Sequence, residues 1–143
     1  MIKKETLAYL AGIIDGEGYI GIKKDQIKNR GINPAYYERM SVANVNKPVI
    51  EMFFKLFNCG NIQFHKPSKL SKRGYWSWEV TNLKATLVVK QIYPYLLIKK
   101  PEAKIIIKLS ENKKRRYAVL PKKIVTYREK LYQTIKTIHT FVS

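Results

Sequence analysis

The sequence has a single cysteine, Cys59, in 143 residues. That excludes an internal disulfide and any thiolate cluster, and it points to a reducing, intracellular compartment. There are two histidines, His65 and His139, too few beside one cysteine for a zinc-finger pattern. No apolar run approaches the roughly 20 residues needed to span a bilayer, so no membrane partner is expected. The N-terminal MIKKETLAYL lacks a signal-peptide cleavage pattern. Nothing in the sequence separates an organelle, mitochondrion or chloroplast, from a prokaryotic cytoplasm. Acids are the scarcest group for the size of the chain: ten Asp and Glu stand against 28 Lys and Arg, a formal net charge of +18. Self-repulsion of that size weakens a compact state unless a polyanion offsets it. The cations are spread along the chain with no detachable tail, which favours a folded surface following a phosphate backbone.

What is present suffices for a core. Hydrophobic residues make up 45% of the chain, which fits one globular domain over residues 1–143. Residues 5–15 carry Leu7, Leu10, Ala11 and Ile14 at helical spacing, with Ala8 and Gly12 on a neighbouring face and Thr6 as N-cap. The glycine-rich GEG at 16–18 is expected to stop this helix. Alternation then marks two strands, YIGIKKDQI and YYERMSVANV, around the turn-rich NRGINP. A second helix over 47–57 takes Pro48 in its first turn. NIQFHK and YWSWEVTN form a second hairpin across the basic loop PSKLSKRG. Trp76 and Trp78 share parity with Val80, a core pattern, with base stacking as the alternative. Helices follow up to Pro94, from Pro101, and over the C-terminal segment. The expected fold is α+β: an antiparallel sheet of two hairpins with helices packed on one face, a core over about 5–110, and a helical extension over about 111–143.

Two of the few acids, Asp15 and Glu17, stand at the end of the first helix. A helix C-terminus carries about half a negative charge, so acids there need compensation. A Lys or Arg could supply it, and so could a divalent cation held by carboxylate and carbonyl oxygens. Mg2+ suits the second case, because it takes one or two carboxylates and keeps its waters. Freely hydrated turn residues are the third reading.

LAGIIDGEG, residues 10–18, resembles the signature of the LAGLIDADG homing endonucleases. The element order resembles that family's αββαββα fold. The resemblance implies a site-specific, intron-encoded DNA endonuclease using Mg2+, or another divalent ion such as Mn2+. It places the metal on Glu17 and the carbonyl of Gly16, with Asp15 bracing the helix end. It implies a catalytic lysine at Lys99, with Lys100 competing. A water-orienting polar residue falls at Asn46, with Asn44 as the alternative. One signature implies a homodimer, with Leu7, Ala8, Ala11, Gly12 and Asp15 at the helix–helix interface. A two-fold protein implies a long, nearly palindromic double-stranded target, cut to leave 3′ overhangs. The same family also allows an RNA maturase acting on intron RNA, or a non-cleaving DNA-binding regulator.

The polar strand faces supply the expected DNA-reading residues: Tyr19, Lys23, Asp25, Tyr37, Arg39, Ser41, Asn61, Gln63, His65, Tyr75, Ser77 and Glu79. Arg39 suits guanine and Gln63 suits adenine. Lys28, Arg30, Lys66, Lys69, Lys72 and Arg73 fall in or beside hairpin loops and suit phosphates. NKKRRY, 112–117, is expected to add backbone contacts.

Overall fold

The computed structural model describes the backbone of residues 1–26 and 33–142, and side chains through Thr140. Lys28 and Arg30 lie outside the described residues. The elements run α1 (Lys4–Glu17), β1 (Gly18–Asp25), β2 (Ala35–Asn44), α2 (Lys47–Phe57), β3 (Asn61–His65), β4 (Tyr75–Thr81) and α3 (Asn82–Ile92). A 3-10 turn (Tyr93–Tyr95), α4 (Lys100–Lys113) and α5 (Lys122–Val142) complete the chain. This is the expected αββαββα order with further helices behind it.

The two hairpins join through their inner strands, giving the order β1-β2-β4-β3 with antiparallel pairing throughout. Period-two alternation sends Ile20, Ile22, Met40, Val42, Trp78 and Val80 to the helical side, where all are buried. Helix α1 adds Leu10, Ala11 and Ile14, and α2 adds Ile50 and Phe53. Each large side chain removed from water there contributes about 1.5–3 kcal/mol. Trp78 is fully buried, stacks on Phe53 at 5.2 Å, and donates its indole N–H to the Cys59 carbonyl at 2.8 Å. Trp76 points to the same side, so neither indole is on the polar face.

Local expectations fail at both ends of α1. The helix begins at Lys4 with Lys3 as N-cap and no side-chain cap, so Thr6 lies in the first turn instead of capping it. The helix also runs through Gly16 to Glu17, and Gly18 ends it. Gly18 is required by close approach: a Cβ there would stand 2.8 Å from the Ile14 Cα.

Two acids, Glu38 and Glu102, depart from the pattern of solvated charge, both being buried. Glu38 falls on the core face of β2 and is only 1% exposed. It pairs with Lys113 Nζ at 2.6 Å, and the Thr86 hydroxyl lies 3.3 Å from its other oxygen. Lys113 was expected among the phosphate contacts of NKKRRY, but it is used inside the protomer. The α5 helix is fastened by Glu129, which accepts from both Lys24 and the Tyr36 hydroxyl. At the edge strand β1, His139 Nε2 lies 3.1 Å from the Ile20 carbonyl oxygen.

Candidate active site and nucleic-acid interface

The exposed carboxylate of Glu17 sits at the carbonyl end of α1, and the last turn of that helix has no basic residue. The compensating charge arrives from far along the chain. Lys99 Nζ donates to the Asp15 carbonyl oxygen at 3.1 Å. The Asp15 carboxylate in turn accepts from the backbone N–H groups of Leu97, Ile98 and Lys99 at 2.7, 3.1 and 3.0 Å. Asp15 is thus a clamp that seats the Lys99 loop on the helix end, as bracing requires. Lys100 points elsewhere, with its ammonium 5.5 Å from the Tyr93 ring centroid.

The two asparagines exchange places relative to expectation. Asn44 Nδ2 donates to Glu17 Oε2 at 2.7 Å, while its Oδ1 accepts from the Asn46 backbone N–H at 2.8 Å. That second bond assigns the amide orientation. The Asn46 side chain caps α2 by accepting from Val49 N–H. Asn44, not Asn46, therefore touches the acid. The signal was present in the sequence: Asn44 continues the core parity of Met40 and Val42, as a polar residue at the strand's last inward position.

The exposed side of α1 carries Ala8, Gly12 and Gly16, one turn apart. Beside it an open groove of about 370 Å³ is lined by Tyr9, Gly12, Ile13, Gly16, Glu17, Asn44 and Val49. Ala11 is fully buried in the protomer's own core, and Leu7 is packed against that core, so neither is on this exposed side. The Asp15 carboxylate is occupied by its own loop. Of the expected interface residues, Ala8 and Gly12 remain exposed. Tyr9 at 56% exposure, with Leu97 and Ile98 at 86% and 56% on the clamped loop, were not expected.

All the strand residues assigned to the polar face share the side of the sheet opposite the helices. One row across the ladders reads Tyr19, Ser41, Glu79, Asn61, and another reads Ala43, Ser77, Gln63. Several are engaged with one another. Arg39 Nε lies 2.7 Å from Glu79 Oε1, and its guanidinium stands over the Tyr19 ring. His65 stacks on Tyr75 and approaches the Ser77 hydroxyl at 2.8 Å. The Tyr37 hydroxyl donates to Asp25 at 3.1 Å. Burial pushes the Tyr19 phenol upward in pKa, opposed by the Arg39 charge. Lys66, Lys69, Lys72 and Arg73 are exposed in the β3–β4 connection.

Among the described residues no three His, Cys, Asp or Glu side chains gather as a metal cluster. The oxygen donors at the α1 end are the Glu17 carboxylate and the backbone carbonyl of Gly16. That sparse, all-oxygen set fits a hard cation that keeps most of its water, as Mg2+ does, and fits zinc poorly. Among the described residues, no helix is long and apolar enough to cross a membrane.

A polar sheet face and an exposed carboxylate at a clamped helix end accord with a DNA endonuclease. The chain belongs to the LAGLIDADG endonuclease family, whose model matches residues 10–103. No curated protein sequence matches it. Among solved structures, that of the homing endonuclease I-CvuI in complex with the I-CreI target in the presence of Mg superposes with a TM-score of 0.78. It is 15% identical, over 94% of this chain and 82% of that one. The I-LtrWI LAGLIDADG homing endonuclease bound to target DNA gives 0.71 at 17% identity, over 92% of this chain and 44% of that one. I-CeuI, a group I intron-encoded homing endonuclease complexed with DNA, gives 0.64 at 15%, over 80% and 57%. At these identities the structural likenesses show a shared fold.

Proposed function

We propose that the protein is a homodimeric, site-specific homing endonuclease that cuts both strands of a long, nearly palindromic DNA target in a Mg2+-dependent reaction, leaving 3′ overhangs. One observation carries the reading: the Ala8–Gly12–Gly16 stripe is exposed and runs directly to Glu17. Packing two such stripes together would bring two Glu17 carboxylates to the middle of a joint surface, one per strand. The chain's coverage of less than half of I-LtrWI fits one half of a two-fold enzyme.

Glu17 and the Gly16 carbonyl would hold the divalent ion. When bound, such an ion polarises a phosphoryl oxygen and lowers the pKa of a coordinated water. The chain's own residues do the rest. Asn44 fixes the Glu17 carboxylate by donating to Oε2. Lys99 holds a positive charge at the helix end, where it can offset charge developing on phosphate. Asp15 holds the loop that carries Lys99. The four loop cations of the β3–β4 connection meet phosphates, and the sheet face meets base edges.

Intron RNA as a second partner is favoured by one further observation. Exposed Lys104, Lys108, Arg115, Arg116, Lys122 and Lys123 stand on α4, α5 and their connection, away from the sheet's polar face.

A cleavage selection from a randomised duplex library, with and without Mg2+, tests the reading. The expected result is a nearly two-fold-symmetric site cut only with the metal, by a protein that sediments as a dimer. A monomer that cuts, or a dimer that binds a site without cutting it, would overturn it.

A further inference from the structure

We propose that Arg39 reads a guanine and that Glu79 and Tyr19 are positioning residues giving it one usable orientation. This rests on the sheet being the DNA-reading surface, and it adds which base is specified and how.

Three observations converge on the guanidinium. Its Nε edge faces Glu79, with Nε 2.7 Å from Oε1. Its plane stands over the Tyr19 ring, with Cζ 5.5 Å from the centroid. Tyr19 can lie there because Gly21, the cross-strand partner of Arg39, has no side chain; a Cβ on Gly21 would collide with the phenol. The remaining end, Nη1 and Nη2, has no hydrogen-bond partner among the described residues. That end presents the two parallel donors that match guanine O6 and N7.

The charge balance separates reading from mere attraction. Arg39 and Glu79 together are neutral, so the pair adds little to the attraction for any phosphate backbone. Lys66, Lys69, Lys72 and Arg73 have no ion pair among the described residues and suit that task. A cation neutralised on one edge and left open on the other is arranged for orientation. The Nε contact is close but not aligned along the N–H bond, and no aligned acceptor reaches that N–H. The contact therefore acts chiefly through charge.

The test is binding selection in EDTA on a duplex library randomised across the half-site, which takes cleavage out of the readout. Wild type, Arg39→Ala, Glu79→Ala and Glu79→Gln are compared, each checked for an unchanged thermal melt. Wild type should enrich guanine at one position of each half-site. Arg39→Ala should flatten that position alone, by tenfold or more, the order of one bidentate contact. Glu79→Ala should flatten it several-fold while tightening binding to arbitrary DNA. Glu79→Gln, which keeps the shape but loses the charge, should tighten arbitrary binding and blunt the guanine preference about as much as Glu79→Ala. Guanine enrichment that survives Arg39→Ala overturns the proposal alone. Equal flattening at all positions overturns it too, by making Arg39 a general contact. Full preference in Glu79→Ala overturns the positioning role. A wild-type protein that selects no sequence overturns this inference together with the reading of the sheet.

Discussion

Asp15 and Lys99 hold each other from both sides. The Asp15 carboxylate accepts the Lys99 backbone N–H at 3.0 Å, and the Lys99 ammonium donates to the Asp15 carbonyl oxygen at 3.1 Å. An acid at a negative helix end is tolerated here because it organises the cation that offsets that end. Glu17, two residues on, accepts from Asn44 and has no cation paired to it among the described residues.

Replacing Asp15 should therefore act on turnover more than on DNA affinity. Asp15→Ala leaves three N–H groups without their acceptor and should cost about 1–3 kcal/mol of stability. Cleavage should fall at least tenfold, with DNA binding in EDTA within a few-fold of wild type. Single-turnover kinetics beside a binding titration checks this. Equal loss in both would mean the clamp supports the fold only.

The two asparagines should separate cleanly. Asn44→Ala removes the donor on Glu17 and should slow cleavage with little change in melting temperature. Asn46→Ala removes a helix cap and should cost about 1 kcal/mol of stability with near-normal turnover in the folded protein. Glu17→Gln should abolish cleavage while binding persists. A denaturant melt and a cleavage assay on the same three variants decide the assignment.

Gly12 offers a test of the dimer that spares the protomer. A Cβ at Gly12 meets nothing within 4 Å in the single chain. Gly12→Ala should keep the protomer folded and gain up to about 1 kcal/mol of helix stability. Gly12→Glu should leave a folded chain that sediments as a monomer and no longer cuts. A Gly12→Glu dimer with full activity would place the subunit contact elsewhere.

The α5 clasp should be acid-labile. Burial alone would raise the Glu129 pKa, but hydrogen bonds from Lys24, Tyr36 and Gln133 outweigh it and hold it below its ordinary value. A depressed carboxylate stabilises the folded state above its unfolded pKa, near 4.3. That stabilisation is lost as pH falls from there through the folded value. Burial, followed by the bond to Glu129, raises the Tyr36 pKa, so its contribution is lost at the other extreme, as pH rises past about 10. Amide protection factors in α5, the rates corrected for intrinsic exchange, should fall below about pH 4 in wild type, and Glu129→Gln should flatten that dependence.

The sequence by itself determined what is local and periodic. Period-two alternation put Tyr19, Arg39, Gln63 and Glu79 on one face and Ile20, Met40 and Trp78 on the other, because successive strand residues must point opposite ways. Helical spacing marked Leu10, Ala11 and Ile14 as one buried stripe, and Ala11, also expected at the subunit interface, lies in the protomer's own core. Glu17 and Lys99 were singled out through the resemblance, and the structure brings both to the end of α1. What the tertiary structure alone decided depends on which groups meet across long stretches of chain. Glu38 is buried because Lys113 reaches it from 75 residues away. Arg39 is oriented because the register sets Glu79 beside it and an absent side chain at Gly21 admits Tyr19 beneath it. Asn44 touches Glu17 because β2 ends beside the end of α1. Alternation fixes the face a side chain takes; packing and register fix its partner, and that partner determines what its charge can do.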